Sequence, residues 1–160
     1  MVCVQPKPFD IGAHIDAVRK GDTRIGALAT FVGCVRDIND GDDVRTLTLE
    51  HYPGMTERAL TAIEHEARNR WDLIDVLIVH RVGKLRPADT VVLVVVAAAH
   101  RKEAFTACEF IMDYLKTRAP FWKQERTRHG TRWLDSRAGD RMAATRWQHA
   151  AANPEVIDGE

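Results

Sequence analysis

Apolar and polar positions along this chain follow two different periods, and the switches between them mark its elements. Ile25-Gly26-Ala27-Leu28-Ala29-Thr30-Phe31-Val32-Gly33 reads as a strand carrying small residues and ending in Cys34-Val35-Arg36. Gly33 invites a bulge or a close backbone approach. Residues 37–43, with Asn39, Gly41 and several aspartates, predict an exposed, mobile loop, and residues 45–51 then alternate like a half-buried strand. Pro53-Gly54 breaks that strand, and Thr56 is the expected cap of a helix whose Leu60, Ile63, Ala67 and Trp71, spaced by three and four, face the core.

Residues 75–82 predict a third strand and 83–89 a turn-rich connection. Residues 90–99 carry almost no polar side chain, which predicts a strand buried on both faces at the centre of a sheet. From 101 to 118, Phe105, Cys108, Ile111, Met112 and Leu115 share one helical face while Glu103, Glu109, Asp113 and Lys116 lie elsewhere. Pro120 stops this second helix, and residues 121–128 and 131–134 around His129-Gly130 predict a hairpin. No repeat or interior linker interrupts the order, so strand-helix-strand-strand-helix-strand predicts one α+β unit over residues 1–147, opened by a proline-bearing lead-in. Residues 148–160, with Asn153-Pro154 and terminal acids, predict a disordered tail.

Composition narrows the class. A chain of 160 residues, 45% hydrophobic and 29% charged, suits a single globular domain. The longest apolar run, 91–99, is about half of the roughly 20 residues a membrane helix needs. The first eight residues lack the charged start and apolar run of a secretory signal, so a cytoplasmic location is expected. Cys3, Cys34 and Cys108 form no CxxC pair and predict reduced thiols, while His51, His65 and His80 form neither HxH nor HExxH, so no metal is indicated. Net charge is zero, yet residues 100–146 hold 11 Lys and Arg against 6 Asp and Glu, leaving 12 against 17 elsewhere. That bias fits an anionic ligand, an acidic partner, nucleic acid or a solvated face.

Cations recur at the ends of elements: Arg36 after the first strand, His100-Arg101 at a strand-to-helix junction, Lys116 and Lys123 on either side of Pro120. Free N–H groups at a helix start attract anions and Arg101 adds a fixed cation there; equally, His100 can simply cap the helix and Arg101 pair with a surface acid. Lys116 suits the negative end of a helix dipole, and partial burial among other cations would instead adapt it to acid, base or oxyanion work. Cys34 beside Arg36 suggests a thiolate, but no base or resolving cysteine accompanies it. Trp122 and Trp133 among Lys123, Arg126, Arg128 and Arg132 read either as core anchors of a hairpin or as stacking platforms for bases.

Two long strings add a resemblance. Thr48-Leu49-Glu50-His51-Tyr52-Pro53-Gly54-Met55-Thr56 and Phe110-Ile111-Met112-Asp113-Tyr114-Leu115-Lys116-Thr117-Arg118-Ala119-Pro120-Phe121-Trp122-Lys123 resemble signatures of the MoaE family of molybdopterin synthase large (catalytic) subunits. Glu66-Ala67-Arg68-Asn69-Arg70-Trp71, Val79-His80-Arg81-Val82-Gly83 and Ala99-His100-Arg101 stand between them in the family's order and spacing, and the likeness runs from about residue 8 to residue 147.

The resemblance implies an α/β-hammerhead fold with a small added antiparallel β subdomain. It also implies a homodimer of large subunits that forms a heterotetramer with a small ubiquitin-like subunit at each outer end. That partner would bring sulfur on a thiocarboxylated Gly-Gly terminus, and two transfers to cyclic pyranopterin monophosphate (precursor Z) would create the molybdopterin dithiolene. No cofactor or metal of its own is implied, and neither nucleic acid nor membrane is a partner. By match to the family, Lys116 and Lys123 are the expected catalytic residues, with Lys116 essential. Cys34, Val35, Arg36, His100, Arg101, Gln124, Glu125 and Arg137 join them as expected substrate contacts. At Cys34 the family often carries a basic residue, so a contact is either lost or made through backbone. Two other readings stand beside this one: a basic nucleic-acid-binding module, and a docking partner of the same fold made inactive by Cys34.

Overall fold

The computed structural model describes residues 1–135 and 138–149, the side chain of His149 excepted. Along the chain run β1 (Val2–Gln5), α1 (Ile11–Arg19), β2 (Ala27–Cys34), β3 (Ile38–Asn39), β4 (Asp42–His51), α2 (Met55–Arg70) and β5 (Leu73–Arg81). They are followed by β6 (Gly83–Leu85), β7 (Thr90–Ala98), α3 (Arg101–Thr117), β8 (Phe121–Thr127), β9 (Gly130–Leu134) and α4 (Ala138–His149).

A strand as apolar as β7 needs cover on both faces, and it has it. The first sheet has the order β1-β5-β7-β2, with β7 antiparallel to both neighbours and β1 parallel to β5. Alternation then splits the strand's side chains. Val92, Val94 and Val96 meet α2 and α3 through Leu60, Ile63, Phe110 and Ile111, whereas Leu93 and Val95 face Ile11, Ile15 and Val18 of α1. The second sheet, β3-β4-β8-β9 with β6 also on β4, is antiparallel throughout and closes over Val35, Val44, Leu49 and Leu85. The expected α+β class therefore holds, and an antiparallel β unit does accompany the main sheet.

Gly33 meets both expectations placed on it. The β2–β7 register shifts between Gly33 and Cys34, and a Cβ at Gly33 would sit 2.7 Å from Val92 Cγ1.

Several local expectations are corrected. Residues 37–43 form a β3–β4 turn rather than an open loop, because Asp40 and Gly41 take positive φ and let the flanking backbones pair, with Asn39 buried. Residues 83–89 include β6, since β4 offers an edge there. Thr56 does not cap α2. Gly54 does, with Glu57 reaching back to its N–H at 2.6 Å, while the buried Thr56 hydroxyl donates to the Pro120 carbonyl. Phe105 is 67% exposed; α3 turns Phe110 and Tyr114 inward instead, where they form aromatic contacts with Trp71 and with each other.

The lead-in carries β1 and α1, the latter capped by Asp10, whose carboxylate accepts from the Ala13 N–H at 2.9 Å. At the other end α4 runs through the expected boundary at Trp147, because that indole packs edge-on against Phe110 and Trp71 and donates to Asp113 at 2.8 Å. Residues 150–160 of the expected tail lie outside the described residues. Among the described residues no helix is long and apolar enough to cross a membrane.

Phe110 is fully buried where α2, α3 and α4 meet. Phe110→Ala is expected to cost about 3–5 kcal/mol, read as a lowered midpoint in denaturant unfolding followed by tryptophan fluorescence; an unchanged midpoint would contradict this packing.

Candidate functional site

A cleft of about 720 Å³ opens where the two sheets meet, and local geometry decides which side chains reach it. Because α3 returns alongside β7, its last turn places Met112, Leu115 and Lys116 over the start of β7 at Val91 and Val92, next to the end of β2 at Cys34 and Arg36. Lys116 is exposed to solvent there, so the partial burial expected for it is absent in the single chain.

The pleat of β8 selects alternate residues. Phe121, Lys123 and Glu125 line the cleft; Gln124 does not, since successive side chains point to opposite faces of a strand. Glu125 is 5% exposed, and its carboxylate accepts from Asn39 Nδ2 at 2.8 Å and from the Arg132 guanidinium at 3.1 Å. Asn39 in turn accepts from Arg36 through Oδ1 at 3.0 Å, and Arg132 also donates to the Asn39 carbonyl at 3.1 Å. A buried carboxylate is tolerable only when so partnered. The outcome is a chain of contacts, Arg132 to Glu125 to Asn39 to Arg36, that sets one expected substrate cation from the opposite wall of the cleft.

His80, at the end of β5, also lines the cleft and stacks on Phe121 with ring centroids 3.9 Å apart. Burial lowers its pKa from 6.5 to about 4, a hydrogen bond with the Arg81 carbonyl opposing this and the nearby charges of Lys123 and His51 adding to it. The ring is thus neutral at neutral pH.

Of the residues expected from the sequence, the structure brings together Cys34, Val35, Arg36, Lys116, Lys123 and Glu125. Cys34 is exposed at the bulge, while the Val35 backbone is already committed, its N–H to the Asp89 carbonyl and its own carbonyl to the Ala88 N–H, both at 2.9 Å. His100 and Arg101 lie elsewhere. They start α3, and 15 residues at about 1.5 Å each put them roughly 22 Å from Lys116. The His100 side chain makes no capping hydrogen bond. Both residues are solvent-exposed, and neither stands in an ion pair among the described residues. Arg137 lies outside the described residues. Sequence reasoning missed His80, Asn39 and Arg132 as site residues. His80 sat in one of the quoted strings, whereas Asn39 and Arg132 carried no local signal, being joined only across the β3–β4 and β8–β9 turns.

A mixed α+β fold of this kind has counterparts among solved MoaE proteins and molybdopterin synthases. The family model described as "MoaE protein" matches residues 4–118. The molybdopterin synthase catalytic subunit of Ralstonia nicotianae is 62% identical over 144 residues, covering 90% of this chain and 82% of that protein. The molybdopterin synthase catalytic subunit of Escherichia coli K12 is 54% identical, covering 91% of this chain and 97% of its own. The solved molybdopterin biosynthesis MoaE protein of Burkholderia ambifaria superposes with a TM-score of 0.80 at 53% identity, covering 92% of this chain and 97% of that one. The chain belongs to the MoaE family.

Because His80 is held neutral by the fold but titrates near 6.5 when unfolded, the unfolded chain binds the extra proton first as pH falls. The stability His80 allows is therefore full above about pH 6.5 and is lost progressively toward pH 4, by on the order of 3 kcal/mol. Denaturant titrations across that window are expected to show this slope in the wild type and its removal in His80→Phe.

Proposed function

We propose that this chain is the catalytic subunit of a molybdopterin synthase, working on residues 1–147 as one unit. It transfers sulfur from the thiocarboxylated C-terminus of a small ubiquitin-like partner to cyclic pyranopterin monophosphate. The single observation that carries the reading is the cleft itself, lined by Lys116, Lys123 and Arg36, in which the Cys34 thiol has no hydrogen bond to His80 or to another base among the described residues. Such a site suits a reaction whose sulfur nucleophile arrives on another chain, leaving this one to bind, orient and stabilise charge. Arg36 is the natural holder of the phosphate. Lys116 and Lys123 stand where the thiocarboxylate carbonyl would be polarised or a proton moved as sulfur attacks.

His100 and Arg101 enter this reading through a second copy. β2 is an edge strand with Phe31 and Val32 partly exposed, and α3, which packs on β2, exposes Phe105 one turn beyond Arg101. In a two-fold pairing across that edge, the β2 start of one copy meets the β2 end of the other. His100 and Arg101 of one copy then approach the Cys34–Arg36 end of its partner, and the two outer ends remain for the small subunits of a heterotetramer. The reading places the reaction in the cytoplasm, in keeping with three unpaired cysteines.

Nucleic acid is not a partner in it. Much of the basic segment is matched by acids: Arg118 with Glu66 at 2.8 Å, Arg146 with Glu109 at 2.7 Å and Asp113 at 2.8 Å, Arg132 with Glu125 at 3.1 Å. The docking-only reading has no observation in its favour, since Cys34 sits at the cleft mouth and leaves the Arg36 network intact.

Lys116→Ala is expected to fold normally and to lower conversion of precursor Z by at least 100-fold when mixed with a thiocarboxylated small subunit; activity near wild type would overturn the assignment. Mixed dimers of Lys116→Ala with Arg101→Ala are expected to recover part of the activity that each homodimer lacks. Failure to recover any would place both residues in one copy's site.

A further inference from the structure

A second cavity, of about 210 Å³, lies between α3 and α4 and shares no lining residue with the cleft. Spacings of three and four put Tyr114, Thr117 and Arg118 on one face of α3 and Arg141, Thr145 and Gln148 on one face of α4, and both faces line it. No carboxylate is among the described residues that do so. Tyr114 is 1% exposed, yet its hydroxyl has no hydrogen-bond partner among the described residues. A buried hydroxyl ordinarily has one, and leaving it bare costs stability.

Arg118 lies over the same ring, its guanidinium carbon 3.5 Å from the centroid, and its Nη1 donates to Glu66 at 2.8 Å. Glu66 also accepts from Arg70 at 2.7 Å, so one carboxylate serves two guanidinium groups and leaves positive charge beside the cavity. Arg141 brings a second cation to the lining. Thr117 and Thr145 spend their hydroxyl hydrogens on the carbonyls of Asp113 and Arg141, each at 2.8 Å, which leaves their oxygens as acceptors.

We propose that this cavity binds inorganic phosphate: Arg118, Arg141 and the bare Tyr114 hydroxyl donate to its oxygens, and the threonine oxygens accept from the proton that phosphate retains near neutral pH. Donors and cations alone would suit any oxyanion. Acceptors among them favour one that still carries a hydrogen. The site does not depend on the sulfur-transfer reading, since its occupancy is measured without partner or pterin.

The test is isothermal titration of the full chain with inorganic phosphate at pH 7 and fixed ionic strength. Arg36→Ala serves as the parent, so that the phosphate holder proposed for the cleft is absent. The expected result is saturable binding of one phosphate per chain, weakened at least fivefold by adding Arg141→Gln and at least threefold by adding Tyr114→Phe, with sulfate binding at least threefold more weakly than phosphate. Tyr114→Phe keeps the ring beneath Arg118 and removes the bare hydroxyl, so its Tm without phosphate is expected to equal or exceed the parent's, while phosphate raises it less. No saturable binding to the folded parent would overturn the proposal, as would binding that neither added substitution weakens. Equal affinity for sulfate would overturn the assignment to phosphate, and binding that appears only when Arg36 is restored would place the anion in the cleft instead.

Discussion

Helix α3 doubles back along the strand that precedes it, and most of what this molecule can do follows from that reversal. The turn at His100 joins the most buried strand of the sheet to a helix whose inner face is equally apolar, so the two must lie side by side to bury both. In consequence the cations at the helix start and those at its end cannot meet within one chain. Lys116 returns to the β2 terminus where Arg36 waits, and His100 and Arg101 are carried to the far end. A site that needs all of them must be assembled from more than one chain.

The second constraint is the carboxylate of Glu125. It is buried in the small antiparallel sheet and tolerable only with Asn39 and Arg132 bound to it. Those partners come from strands β3 and β9, so a single acid ties the two strands together and, through Asn39, orients Arg36. Stability and site geometry here are one interaction. Loss of Glu125 would release Arg36 without touching it, since the acid reaches that cation only through Asn39.

His80 shows a complementary device. Burial keeps the imidazole uncharged and the Phe121 stack keeps it flat against β8, so the cleft wall carries a polar ring without a charge at neutral pH.

The sequence by itself determined the main elements, because their signals are local. The period of Leu60, Ile63 and Ala67 marks α2, the unbroken apolar run marks the central β7, and Pro120 with His129-Gly130 marks the end of α3 and the hairpin. It also marked Arg36, Lys116 and Lys123 as cations at element ends, and the long strings around them indicated their family. What it left open depends on contacts between distant residues. Thr56 read as a cap until the carbonyl of Pro120 claimed its hydroxyl, and Phe105 read as core until Phe110 and Tyr114 set the rotation of α3. Gln124 read as a site residue until the pleat of β8 turned it away. Arg132, Asn39 and His80 became site residues only when the turns and the end of β5 met, and His100 with Arg101 left the single-chain site for the same reason. Local periodicity fixes which residues share a face of an element, but only packing fixes which faces meet, and a cleft is made of faces that meet.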